Sequence, residues 1–157
     1  MKIRLIQIGK TSEKYLIEGI SSYEKRIQGF ASFQSETIPT LKNAGSLSPQ
    51  MVKQKEGDLI LSKIRPDEFI ILLDERGKEF SSRAFAEFMQ QQMNLSTKQV
   101  SFVIGGAFGF SEEVYLRSNY KLSMSKMTYS HQLIRLIFAE QIYRCYSIIN
   151  NHPYHND

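Results

Sequence analysis

The pattern of apolar runs predicts an α/β fold, a mostly parallel sheet of about five to six strands with helices on both faces. Three observations carry that reading. Short runs rich in Ile, Val, Leu and Phe alternate along the chain with longer amphipathic stretches, the order expected of parallel strands joined by helices. The run Phe69-Ile-Ile-Leu-Leu73 is apolar throughout rather than alternating, as expected of a strand covered on both faces. Two further strands end in unusual loops: residues 100–104 run into Gly105-Gly106 with Gly109 close behind, and residues 120–123 open into small, hydroxylated and flexible residues reaching Ser130. Glycines there let the backbone turn sharply or let a ligand approach, and open α/β sheets bind ligands beyond the carboxyl ends of their strands.

The elements follow in order. The first strand spans residues 3–8 and stops at Gly9. Thr11 or Ser12 then caps a helix reaching Gln28, with Tyr15, Leu16, Ile20, Tyr23 and Ile27 at three- and four-residue spacing and Glu13, Glu18, Glu24 and Lys25 off that stripe. Residues 30–38 alternate in part and end at Pro39, a second strand near the sheet edge. After a loop over residues 41–48, Ser48 and Pro49 supply a capping hydroxyl and a first-turn proline for a helix reaching Ile64. The apolar strand at 69–73 leads into a loop over 74–78. Ser81 or Ser82 caps the next helix, which offers Phe85, Phe88 and Met89 to the core. Beyond the strand at 100–104, Ser111-Glu112-Glu113 starts a short helix, and the strand at 120–123 follows. The last helix, from Ser130 to Ile149, carries Leu133, Ile134, Ile137, Phe138, Ile142 and Tyr146 in a stripe broad enough to meet a partner as well as the core. A polar, aromatic tail, Asn150-Asn-His-Pro-Tyr-His-Asn-Asp157, closes the chain.

Length and composition narrow the classes. At 157 residues the whole chain is read as one domain. A single cysteine, Cys145, excludes an internal disulfide and fits a reducing compartment. No apolar run nears the roughly 20 residues that a bilayer span takes, so no membrane partner and a cytoplasmic location are expected. The net charge of +4 is unevenly spread: from Val114 onward there are five basic residues, two acidic ones and all three histidines. That excess, beside the two loops, fits a polyanionic partner such as nucleic acid.

Several motifs fail on inspection. Gly9-Lys10-Thr11 resembles the end of a phosphate-binding P-loop, but the position five before Gly9 is Arg4 rather than glycine, so the backbone cradle is missing. Gly105-Gly106-Ala107-Phe108-Gly109 lacks the spacing and the downstream acidic residue of a dinucleotide site. His152 and His155 stand three apart on a terminal tail, a poor platform, and no metal is expected. Cys145 reads as a small buried hydrophobe. Tyr154 and His155 can stack on a base or exchange protons, whereas Arg135 and Arg144, nine apart on one helix, point to opposite sides.

Together, Phe-Val-Ile-Gly-Gly-x-x-Gly at 102–109, Leu-Ser-x-Ser-Lys-Met-Thr at 122–128, His131 with Arg135 after it, Glu140-Gln-Ile-Tyr-Arg144 and the closing Asn-His-Pro-Tyr-His resemble the RlmH (YbeA-type) family of SPOUT methyltransferases. The opening Met-Lys-Ile, Tyr23-x-x-Arg26 and Lys55-Glu-Gly57 extend the resemblance over the whole chain. It implies an α/β-knotted homodimer, in which a carboxyl-terminal trefoil knot holds S-adenosylmethionine. It also implies methyl transfer to N3 of a pseudouridine in large-subunit (23S) ribosomal RNA, on the ribosome. By position, Leu73, Gly105, Met124, Ser125, Lys126, Met127, Thr128 and Tyr129 would hold the cofactor, with Leu73 and Met127 as a dry wall against the adenine. His131, Arg144, Tyr154 and His155 would serve the transfer, the last two reaching the partner's pocket, and Arg135 could join Arg144 on a phosphate or base edge. Two departures stand out: Asn156 and Asp157 occupy the place of a basic residue, and Ala107 and Phe108 replace polar residues or proline. The alternatives are a non-catalytic RNA-binding module of the same fold, which would need no cofactor loop, and a methyltransferase acting on transfer RNA, for which no appended RNA-binding domain is available.

Overall fold

The computed structural model describes residues 1–155; Asn156 and Asp157, and with them the departure from a basic terminus, lie outside the described residues. The elements are β1 (Lys2–Ile8), α1 (Lys14–Ile27), β2 (Phe33–Ile38), α2 (Pro49–Lys63), β3 (Phe69–Glu79), α3 (Ser82–Asn94), β4 (Gln99–Ile104), α4 (Glu112–Arg117), β5 (Tyr120–Ser123) and α5 (Leu133–Ile149), with a short 3-10 turn at Ala44–Ser46. The strands form one sheet in the order β2-β1-β4-β3-β5, every neighbouring pair parallel. All carboxyl ends therefore open at one edge.

Helices cover both faces. Ile27 of α1, Phe85 and Met89 of α3, and Phe138 and Ile142 of α5 pack with Ile3, Leu5, Ile71 and Phe102 of the sheet. Ile60 of α2 and Val114 of α4 pack with Ile6, Ile70, Leu72 and Val103 on the other side. Ile70, Ile71 and Leu72 are 0% exposed, which is what an uninterrupted apolar strand with strands on both edges and helices on both faces requires. The serine caps form where the sequence places them: Ser48 Oγ accepts from Met51 N–H at 3.2 Å and Ser81 Oγ from Ala84 N–H at 3.2 Å.

Four details differ from the sequence reading. The second strand starts at Phe33, after a turn that includes Phe30. Helix α1 has Glu13 at its N-cap with no side-chain cap, because Thr11 and Ser12 are engaged with the start of α5. Ser12 N–H donates to Gln132 Oε1 at 2.9 Å, and Thr11 Oγ1 accepts from Arg135 Nη1 at 2.9 Å. Tyr15 is 64% exposed, so the buried stripe of α1 rests on Leu16 and Ile27. Strand β3 does not end at Leu73: its pairing with β5 shifts so that Leu122 faces Leu73 and then Lys78. Residues 74–77 bulge from the ladder before the strand resumes. Gly77 makes the return possible, since a Cβ there would lie 2.7 Å from the Leu122 backbone.

Arg135 is also corrected. It is 1% exposed and its Nη2 donates to Ile8 O at 2.6 Å, alongside the bond to Thr11. It ties α5 to the end of β1 and has no surface to offer a phosphate or base.

Candidate functional site

A cavity of about 590 Å³ opens at the carboxyl ends of β3, β4 and β5, within the roughly 300–1,000 Å³ typical of small-ligand clefts. Three stretches of chain wall it. The bulge of β3 gives Leu73, Asp74, Glu75 and Arg76; the loop after β4 gives Gly105 through Phe110; the loop after β5 gives Met124, Ser125, Met127, Thr128, Tyr129, Ser130 and His131. The two strand-end loops thus share one space, with Ile104 of β4, Leu122 of β5, Tyr115 of α4 and Ile134 of α5 completing the lining.

Local hydrogen bonds shape these loops. Gly109 N–H donates to Gly106 O at 3.2 Å, folding the glycine loop into a tight turn. Ser123 Oγ donates to Ser125 O at 2.9 Å, Met127 N–H donates to Ser125 Oγ at 2.9 Å, and Thr128 Oγ1 donates to Glu75 Oε2 at 3.3 Å. Short hydroxyl side chains are suited to such backbone-mimicking bonds, and the last of them fastens the loop after β5 to the bulge. Ser130 Oγ accepts from Leu133 N–H at 3.1 Å and leads the chain into α5.

Of the residues assigned to a cofactor by resemblance, Leu73, Gly105, Met124, Ser125, Met127, Thr128 and Tyr129 line the cavity. Lys126 does not; its side chain is 87% exposed, with Nζ 4.0 Å from Glu79. Met127 is 74% exposed and is no dry wall in a single chain. The apolar lining comes instead from Leu73, Ile104, Leu122 and Ile134.

A polar cluster in the wall was not marked by the sequence. Asp74 accepts hydrogen bonds from the Tyr115 hydroxyl and from Arg76 N–H at 2.8 Å, and Arg76 Nη2 donates to Tyr115 Oη at 2.6 Å. Burial pushes the Asp74 carboxyl up, but the bonds from Tyr115 and Arg76 outweigh it and hold the group below its ordinary range. Asp74 is thus a fixed anion at the cavity, able to accept from a ligand's ammonium or hydroxyl groups. The Asp-Glu-Arg-Gly run after an apolar strand signals only a turn, and nothing local points to Tyr115.

Glu56 of α2 lies beneath the glycine loop, 7% exposed, its Oε2 without a hydrogen-bond partner among the described residues. Burial raises its carboxyl above the ordinary value of 4.5. A carboxyl raised by folding adds stability at pH below its unfolded value and loses it as pH climbs through the higher folded value. Glu56→Gln should therefore flatten the decline in stability from about pH 4.5 towards neutrality; thermal melts across that range check it, and an unaltered slope rejects it.

Arg144, Tyr154 and His155 do not line the cavity, whereas His131 does. The three are instead fastened to one another along α5. Arg144 pairs with Glu140, its guanidinium carbon lies 4.8 Å over the Tyr154 ring, and its Nη1 is 3.2 Å from His155 Nδ1. His152 N–H donates to Ser147 O at 2.8 Å and Tyr154 N–H to His152 O at 2.8 Å, so the tail is held by backbone bonds. Burial first, then the bond with Tyr23 and the Glu140 carboxylate, push the Tyr154 hydroxyl up; it is a neutral phenol at physiological pH. Burial pushes the Cys145 thiol up to about 12, so it is an inert apolar group.

The family described as "Predicted SPOUT methyltransferase" matches residues 1–155 of the chain. A protein of Bacteroides thetaiotaomicron named "Ribosomal RNA large subunit methyltransferase H" is 52% identical over 157 residues, covering 100% of both chains. Proteins of the same name from Parabacteroides distasonis and Christiangramia forsetii are 49% identical, covering 100% of both chains, and 50% identical, covering 99% of both. Among solved structures, a "Probable Methyltransferase" from Bordetella pertussis aligns with a TM-score of 0.56 at 11% identity, over 92% of this chain and 96% of that one. A "probable methylase family protein" from Haemophilus influenzae aligns with a TM-score of 0.53 at 15% identity, over 99% of this chain and 70% of that one. At such identities these two structures share the fold alone.

Proposed function

The chain belongs to the SPOUT methyltransferase family, and from that premise we propose that it is an S-adenosylmethionine-dependent methyltransferase of large-subunit ribosomal RNA. Its α/β fold is of the knot type that this family builds. The observation that carries the reading is the cavity shared by the glycine loop after β4 and the serine-rich loop after β5. The residues present fit the cofactor. Leu73, Ile104, Leu122 and Ile134 suit the adenine, Gly105 and Gly106 let backbone approach it, and Asp74 suits an ammonium or ribose hydroxyls. When bound, S-adenosylmethionine supplies a methyl group already activated by its sulfonium.

The remaining work is positioning two reactants and receiving the proton lost by the acceptor nitrogen, which we take to be N3 of a pseudouridine. His131 at the cavity wall and His155 on the tail have imidazoles that can take that proton. Tyr154, whose hydroxyl donates to Glu140, can accept from a base edge, and Arg144 can hold a phosphate or base. These tail residues act in the cavity of a second copy, so the working unit is a homodimer of single-domain chains, acting on ribosomes in the cytoplasm. Two observations support that arrangement: Arg144, Tyr154 and His155 are gathered away from their own cavity's lining, and Phe108, Met127 and Tyr129 leave an exposed apolar rim at its mouth, 49%, 74% and 37% exposed. Among the described residues, no helix is long and apolar enough to cross a membrane.

Incubation of the protein with ribosomes and methyl-labelled S-adenosylmethionine, followed by mapping, should label one pseudouridine of the large-subunit RNA. Label in transfer RNA would reassign the substrate; cofactor binding by calorimetry without label would leave an RNA-binding module. His155→Ala is expected to lower transfer by about 10²-fold, the scale of a lost acid–base or positioning group, with cofactor affinity unchanged. Equal loss of both would reject the role given to His155.

A further inference from the structure

One carboxylate meets both Arg144 and Tyr154. Glu140 Oε1 accepts from Arg144 Nε at 2.9 Å, from Arg144 Nη2 at 2.5 Å and from the Tyr154 hydroxyl at 3.2 Å, while Glu140 Oε2 accepts from Gln141 Nε2 at 2.6 Å. At the same hydroxyl, Tyr23 of α1 places its own hydroxyl 3.2 Å from that of Tyr154, and the Tyr143 ring meets the Tyr154 ring edge-on at 4.6 Å. Tyr154 is thus gripped at its hydroxyl by two elements and at its ring by a third contact. Arg144 is fixed by the carboxylate one helical turn before it, and its remaining nitrogen meets His155. Five of the groups are on α5 or α1, so the seat is rigid, and only Tyr154 and His155 come from irregular chain.

We propose that Glu140, assisted by Tyr23, is a positioning residue for methyl transfer: it fixes Arg144 and Tyr154, and through Arg144 the imidazole of His155, in the arrangement the acceptor base meets. The inference rests on the tail's role in the reading above. Neither Glu140 nor Tyr23 lines the cofactor cavity, so their effect must fall on the transfer and not on the cofactor. A charge-assisted, multiply bonded carboxylate is the strongest kind of hydrogen-bonded anchor, and small displacements of positioning groups carry large rate penalties. Replacing it with an amide keeps the shape but removes the charge and leaves one acceptor oxygen where the carboxylate receives four donor atoms.

The test compares Glu140→Gln, Tyr23→Phe, Tyr154→Phe and the Glu140→Gln/Tyr154→Phe pair with wild type, using ribosomes as substrate. Glu140→Gln should lower kcat by tenfold or more, with KM for ribosomes and calorimetric affinity for S-adenosylmethionine within twofold of wild type. The double variant should lose little beyond the worse single variant, because both break one network. Tyr23→Phe, a milder change, should show a smaller kcat loss and guards against a Glu140 variant that fails to fold. Wild-type kcat in both Glu140→Gln and Tyr23→Phe, multiplicative losses in the double variant, or loss of cofactor affinity in step with kcat would overturn the proposal. A wild-type protein that labels no RNA would instead overturn the functional reading beneath it.

Discussion

Gly106→Ala should abolish most methyl transfer, by about 10²-fold, and weaken cofactor binding at least tenfold. A Cβ at this position would lie 2.8 Å from Glu56 Oε1 and 2.9 Å from Glu56 Cδ, and closer still to Oε2. Glu56 is 7% exposed and sits on a helix packed beneath the loop, so burial limits where its carboxylate can swing. The strain that the carboxylate does not absorb moves the loop outward into the cavity that it helps to wall. A displacement near 1 Å at a positioning surface costs about 10²-fold in rate. Steric origin gives the test its second arm. Glu56→Ala combined with Gly106→Ala removes the obstructing carboxylate and should recover a substantial part of the lost affinity, whereas Glu56→Ala alone should leave binding near wild type. Calorimetry with S-adenosylmethionine and single-turnover assays on ribosomes measure both. Wild-type cofactor affinity in Gly106→Ala would mean that the glycine loop does not touch the cofactor, and the assignment of the cavity would fall with it.

The features legible in the sequence are those whose cause is local. The apolar run at 69–73, the Ser48-Pro49 start of α2, the Ser81 cap of α3 and the glycine pair after β4 each state their conformation within a few residues. The features that were not legible are set by partners far along the chain. Thr11 and Ser12 look like a helix cap, but their groups are claimed by Arg135 and Gln132, more than a hundred residues away. The continuation of β3 through Lys78 and Glu79 has a polar sequence and exists because Gly77 lets the chain cross Leu122 closely enough to resume pairing. Asp74 becomes a fixed anion only when Tyr115 arrives from α4. The candidate site divides along the same line. The two loops of the cavity were visible because glycine and serine announce special backbone, while the tail's anchorage on Glu140 and Tyr23 depended on how α1 and α5 pack.

Arg135→Leu should destabilise the protein by about 3 kcal/mol, and the reason is the change in Arg135's role from substrate contact to internal tie. The guanidinium is 1% exposed and is among the largest fully buried side chains, and burial alone pushes its pKa down. Such a group persists only where its bonds offset desolvation. Leucine replaces part of the volume but leaves the buried Ile8 O without its donor, at roughly 1–3 kcal/mol, and takes the donor from the half-buried Thr11 Oγ1 as well. For a chain of this size, about 3 kcal/mol corresponds to a fall of about 10 °C in Tm. Thr11→Ala should cost less, and Arg135→Leu/Thr11→Ala should cost less than the two single losses added, since the second acceptor is then gone. Because α5 follows directly from the loop that carries Thr128, Tyr129 and His131, loosening its first turn should also weaken cofactor binding. Melting curves at neutral pH decide the matter. A variant that melts with wild type yet fails to methylate ribosomes would return Arg135 to the RNA.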